Sequence, residues 1–215
     1  MEQLAKKLAN NISLSLGYDA EKEAVVAYGL VAMIQISLTT ALVLLLGILV
    51  GAPVEALIVC FSVSILRKYS GGAHAKTAEF CTCFSVIYCI SAAVLTEKIL
   101  VKIYDPFLMA VASVLIFAFS FLIINKFAPV DSPKKPIRTD KKKARMRRGS
   151  FIVLLIYLVI LVAFFALGNQ NRIFQSYGIS LLWGLSWQIF TLTHSGALFI
   201  EKMNQIFILG KEVSV

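Results

Sequence analysis

Charge-free apolar runs alternate with short charged stretches along the 215-residue chain. No charged residue occurs in 24–54, and Glu55 alone separates that run from 56–66. Further clean runs cover 80–96, 106–125, 149–171 and 173–200. A helix crosses a bilayer with about 20 apolar residues, so the first run is too long for one helix. Gly51-Ala52-Pro53 divides it, because Pro53 must end one helix or open the next. The pattern predicts six hydrophobic segments: 25–50, 53–66, 80–96, 106–125, 150–168 and 177–200. It describes an all-α integral membrane protein in a single membrane domain, 1–215.

Two segments depart from plain lipid-facing spans. At about 20 Å, the helix 54–66 is short of a hydrocarbon core of about 30 Å. It is expected to be a short span with Arg67 and Lys68 snorkelling, or a half-helix buried among the others. The segment 80–96 carries Thr82, Ser85, Tyr88 and Ser91, which suits a face turned to protein. Residues 53–96 are therefore the place to look for a site. Ahead of the first segment, residues 1–23 carry Lys6, Lys7, Asp19, Glu21, Lys22 and Glu23 without an apolar core, so no signal peptide is expected. Leu4, Leu8 and Ile12 recur every fourth residue, the pattern of an amphipathic helix on the membrane surface.

Composition agrees with the pattern. Hydrophobic residues make up 59% of the chain and charged ones 15%, against about 45–50% and about 25% in soluble domains. A water-soluble enzyme, a disordered chain and a disulfide-rich secreted domain are excluded. The net charge is +9, and its placement sets the expected topology. With the N-terminus inside and six crossings, 18 of the 21 basic residues fall on the cytoplasmic side. That obeys the positive-inside rule and puts both termini in the cytoplasm.

Nearly all of the excess lies in 126–148, read as a cytoplasmic loop with ten basic and two acidic residues. A topology signal and attraction to anionic membrane lipids account for 141–148. They account less well for Pro129, Pro133 and Pro136, which stiffen the segment. A stiff basic segment suits an acidic partner at the membrane face. Nucleic acid is not expected, since no folded module presents the charge.

The loop 67–79 has the mixed chemistry. One of two histidines, His74, and two of four cysteines, Cys81 and Cys83, lie within ten residues. On the cytoplasmic side the thiols stay reduced. A histidine with a cysteine is the minimal cysteine-protease pair: the imidazole takes the thiol proton and the thiolate attacks a carbonyl. On a helix at about 100° per residue, Cys81 shares the face of His74 and Cys83 opposes it. Seven residues also rise about 10 Å, so His74 must fold back, which Gly71-Gly72 would permit. Plainer roles are open to the same residues: an interfacial histidine, inert cysteines, or an incomplete metal site of His74, Cys81 and Cys83. Cys60 reads as packing. His194 and Ser195 in the last segment have Thr191 and Thr193 as partners, which suits a structural role. Gln35 is a neutral polar group able to bond across helices or orient an imidazole.

These residues together resemble the accessory gene regulator protein B (AgrB) family of Gram-positive quorum sensing. The resemblance rests on length and six segments, on Arg67 through Ala75, on Cys81 seven residues after His74, and on Lys126-Phe127-Ala128-Pro129-Val130-Asp131 leading into Lys134-Lys135-Pro136-Ile137. Lys135-Pro136-Ile137 looks like the family's Asn-Lys-Pro-Ile, with Lys134 in place of the asparagine. The resemblance implies a membrane cysteine endopeptidase without cofactor or metal. Such enzymes cut the C-terminal part from a short autoinducer propeptide and promote its closure to a thiolactone or lactone. His74 would be the catalytic histidine, Cys81 the nucleophile, Arg67 and Gly72 supporting residues, and Lys134, Lys135 and Gln35 substrate contacts. The implied partners are an amphipathic propeptide with an acidic C-terminal region, and a second copy of the chain in a homodimer. A small peptide or lipid transporter is the competing class, although no nucleotide-binding motif is present.

Overall fold

The computed structural model describes residues 2–73, 77–130, 139–168 and 171–213, with side chains as far as Phe207. Among the described residues there are eight α-helices: α1 (Glu2–Leu16), α2 (Ala20–Val50), α3 (Pro53–Ser70), α4 (Ala78–Leu95), α5 (Pro106–Phe127), α6 (Asp140–Gly168), α7 (Arg172–Leu192) and α8 (His194–Val213). Among the same residues there is no sheet; Gly71 and Val130 form an isolated parallel bridge. Local chemistry sets the helix ends. Asp19, Thr77, Asp105 and Asn171 accept backbone N–H groups at the starts of α2, α4, α5 and α7. Pro53 and Pro106 open α3 and α5, where no N–H is needed. Gly51, at φ 76°, closes α2 in the left-handed conformation a side chain disfavours.

Among the described residues, four helices are long and apolar enough to cross a membrane: α2, α4 with its π-helical extension Thr96–Leu100, α5 and α6. The chain is a membrane protein. The shorter α3 and more polar α7 form the inner pair, packed along each other with the other four around them. Because protein rather than lipid covers them, they can carry polar groups that bond internally. Ser176 donates to buried Glu55 at 2.7 Å, and Tyr157 donates from α6 to the Ser62 carbonyl at 2.8 Å. Ser176, Ser180, Gly184 and Gln188 recur every fourth residue and are all buried on α7. This small-residue stripe lets the α7 backbone approach α3. A Cβ at Gly184 would lie 2.5 Å from the Ser62 Cβ and 2.9 Å from the Val59 carbonyl oxygen. Gly184→Val is therefore expected to lower the melting temperature in detergent by about 2–10 °C. Gly29→Ala, where nothing lies within 4 Å, should leave it unchanged.

Two expectations need correction, and a third gains a detail. The segment 177–200 is not one helix: α7 ends at Leu192 and α8 starts at His194, with Thr193 extended between them. The Thr193 hydroxyl donates to the Phe190 carbonyl at 2.7 Å and accepts from the Gly196 N–H at 3.1 Å, so one residue closes one helix and opens the next. His194 is exposed at that junction. The last nine residues of the basic loop 126–148 are helical, because α6 begins at Asp140. Asp140 favours the positive end of the helix dipole, and the Lys, Arg and Ala that follow are good helix formers. Lastly, α1 has a second stripe. Ala5, Ala9 and Ser13 are buried, α1 packs against α2, and Leu4, Leu8 and Ile12 stay exposed beside them.

Candidate active site

Arg67 lies one turn before the end of α3, past its apolar part, and donates through Nη2 to the Ala73 carbonyl. The segment between is clamped from two sides. From α7, Gln188 Nε2 donates to the Gly71 carbonyl at 2.7 Å and to Ser70 Oγ at 3.0 Å. The Ala73 N–H donates to the Thr191 carbonyl at 3.0 Å. From beyond α5, the Val130 N–H donates to the Ser70 carbonyl at 2.9 Å. The two glycines make this possible. Gly71 sits at φ 69°, where any Cβ would meet the Val130 carbonyl. Gly72 sits at φ 133°, where a Cβ would lie 2.8 Å from Thr191 Oγ1 and 3.3 Å from Gln188 Nε2. The sequence suggested that Gly71-Gly72 supply flexibility. Their structural use is close approach: they let the strand-like segment lie against α7 and Val130.

Cys81 lies in the first turn of α4, its N–H donating to the Thr77 carbonyl at 3.2 Å. The thiol is half-buried, while Cys83 is exposed. Cys60 and Cys89 are buried in the core between α2, α3 and α4, as the packing reading of Cys60 expected. Arg67 and Cys81, fourteen positions apart in sequence, come close enough to interact electrostatically. Burial pulls the guanidinium below its ordinary range, and the electrostatic influence of the Cys81 side chain opposes that. It remains a cation.

Aromatic side chains wall this end of α4. Buried Phe80 packs on Phe207 of α8, with ring centroids 5.0 Å apart. Phe84 stacks on Trp187 of α7 at 5.4 Å and meets Phe199 edge-on at 6.2 Å. Helix α8 thus stays level with the first two turns of α4, on either side of Cys81 in sequence. On the α2 side, Thr39 Oγ1 donates to Thr82 Oγ1 at 3.4 Å. Gln35 is one turn earlier on the same side of α2, half-buried, and so near the level where α4 begins.

The structure therefore brings Arg67, Gly72 and Cys81 to one end of the bundle and places Gln35 at its margin. His74, Lys134 and Lys135 lie outside the described residues. Gln188, which the sequence pattern did not single out, holds this loop. It is fully buried, its Nε2 anchors the loop, and its Oε1 has no hydrogen-bond partner among the described residues. The four-residue spacing from Ser176 was the available signal. Basic charge lies at the same end: Arg147 Nε donates to the Ala128 carbonyl at 2.8 Å, joining α6 to the chain that leads to Val130. The arrangement offers a thiol at a helix start, a guanidinium at the same end of the bundle, a backbone pinned as far as Ala73, and aromatic side chains packing α4 against α7 and α8.

Comparison with known proteins places the chain in a family. The family model described as Accessory gene regulator B matches residues 2–192. A putative AgrB-like protein 2 from Clostridium perfringens strain 13 is 36% identical over 206 residues, covering 95% of this chain and 96% of the relative. Accessory gene regulator protein B of Staphylococcus intermedius is 31% identical over 141 residues, covering 64% of this chain and 61% of the relative. A putative AgrB-like protein from Halalkalibacterium halodurans is 23% identical over 214 residues, covering 100% and 98%. No solved structure matches the chain. With a family match over nearly its whole length, and a relative 36% identical over 95% of it, the chain belongs to the accessory gene regulator B family.

Proposed function

We propose that this protein is a membrane cysteine endopeptidase of autoinducer processing, with Cys81 as nucleophile and His74 as general base and acid. The observation that carries the reading is the convergence of half-buried Cys81 with Arg67, whose guanidinium holds the Ala73 carbonyl immediately before His74. His74 takes the Cys81 proton, and the thiolate attacks the scissile carbonyl of the propeptide. As the tetrahedral intermediate collapses, His74 protonates the leaving amine. The C-terminal fragment departs and an acyl thioester remains on Cys81. A thiol or hydroxyl within the peptide then attacks the thioester, closes a thiolactone or lactone, and returns the cysteine. Arg67, Gly72 and Gln188 act as positioning residues for the chain that carries His74.

A thioester keeps its acyl group activated, so water must be kept away until ring closure. The wall of Phe80, Phe84, Phe199 and Phe207 supports that requirement. The basic end of the bundle suits an acidic C-terminal region on the substrate, with Lys134 and Lys135 as contacts and Gln35 at the margin. It is assigned to the cytoplasmic side by the distribution of Lys and Arg. The test is reconstitution of the purified protein in proteoliposomes with the short precursor, read by mass spectrometry. A peptidase yields a released C-terminal fragment and a cyclic product lighter than the linear peptide by one water. Precursor that crosses the bilayer with its mass unchanged would point instead to a transporter.

A further inference from the structure

A groove of about 850 Å³ runs between α3 and α6, apart from Cys81. Its lining includes Lys141, Arg145 and Arg148 at one end, and Ile65, Ile152 and Ile156 at the other. We propose that this groove is a binding site for one anionic phospholipid. The three basic residues stand one turn apart on a single face of α6 and are exposed. Among the described residues none of them is paired with a carboxylate.

Length places the two ends at different depths. Helix α6 has 29 residues, about 44 Å, against a hydrocarbon core of about 30 Å. Its charge-free part, 149–168, alone fills that core. Lys141, Arg145 and Arg148 therefore fall in the headgroup layer, and Ile152 and Ile156 in the acyl layer. The groove is basic where a phosphate lies and apolar where a chain lies, and its long axis follows the bilayer normal. An amphipathic peptide helix lies in the plane of the interface, across this axis, so a lipid fits the shape better. The start of α6 adds the favourable end of its dipole for an anion. Gly149 shapes the middle: any Cβ there would overlap the Tyr69 ring, so the ring lies against the α6 backbone as part of the lining.

The site does not depend on the peptidase reading, and its test reads lipid rather than cleavage. The full chain is equilibrated in nanodiscs of phosphatidylcholine with about one fifth phosphatidylglycerol, then released for native mass spectrometry. One retained phosphatidylglycerol per chain is expected. The Arg145→Gln/Arg148→Gln pair should lower that retention at least about tenfold, while Lys142→Gln/Lys143→Gln, equal in charge and outside the lining, leaves it within about twofold. Ile152→Trp, which fills the apolar end and keeps the charges, should lower retention as well. Equal losses from the two charge pairs would overturn the proposal in favour of diffuse attraction. So would retention of phosphatidylcholine as strong as that of phosphatidylglycerol. An acidic amphipathic peptide bound through Arg145 and Arg148, with lipid retention unaffected by their loss, would make the groove a peptide site.

Discussion

Cys81→Ser is expected to lower precursor cleavage by at least about a thousandfold, as loss of a covalent nucleophile does. Cys83→Ser should leave cleavage within about twofold of the unmodified protein, because the two positions are about 200° apart on α4. The structure gives them different surroundings. Cys81 is half-buried and within electrostatic reach of Arg67, while Cys83 is exposed. A serine hydroxyl preserves the size and polarity of the thiol but is a far weaker nucleophile without a strong base. Membrane abundance of both variants, read by immunoblot, should match the parent, since neither thiol is in the buried core. Equal activity in both variants would remove Cys81 from the mechanism, and loss in Cys83→Ser alone would move the nucleophile to the other face of α4.

The second large effect is expected at Gly72. The residue sits at φ 133°, and Thr191 Oγ1 lies only 2.8 Å from where an alanine methyl would stand, so alanine is strained in backbone and in contact alike. Strain of this kind costs of order 1–3 kcal/mol. The loop can escape it only by moving off α7, which breaks the Ala73 to Thr191 bond and shifts the residue that follows. Displacement of a catalytic group by about 1 Å is worth about a hundredfold in rate, so Gly72→Ala should lose roughly that much cleavage. Adding Thr191→Ala, which removes the close oxygen, should recover part of the loss, about threefold to tenfold. Adding Thr191→Ser, which keeps that oxygen, should recover none. Unchanged cleavage in Gly72→Ala would mean that the clamp does not position His74.

The spans facing lipid were the most legible part of the chain. In α2 and α5 lipid contact demands apolar residues nearly all round, so gaps between charges mark them directly. The inner pair was harder. Helix α7 carries Ser176, Ser180, Gly184 and Gln188 because it faces α3, and hydropathy alone does not separate such a helix from its neighbour α8. Their boundary is the single extended residue Thr193, set within an apolar run. The start of α6 was hidden for the opposite reason: hydropathy falls where the helix leaves the membrane, but the helix itself continues to Asp140. At the site, Arg67, Gly72 and Cys81 were legible through their spacing and resemblance, and the fold brings them to one end. Gln188 was not, since its role depends on α7 lying beside α3, a contact 118 positions apart in sequence.

A covalent intermediate on Cys81 should be visible by intact-mass spectrometry of the protein during turnover. The propeptide is supplied with its ring-closing cysteine or serine replaced by alanine, so that the acyl group cannot leave by cyclisation, and the reaction is quenched in acid. An adduct equal in mass to the N-terminal part of the propeptide, less one water, is expected. The adduct should map to the peptide containing Cys81, be released by hydroxylamine as a thioester is, and be absent from Cys81→Ser. An adduct on Cys83, or release of the C-terminal fragment from Cys81→Ser at the parent rate, would remove Cys81 as the nucleophile.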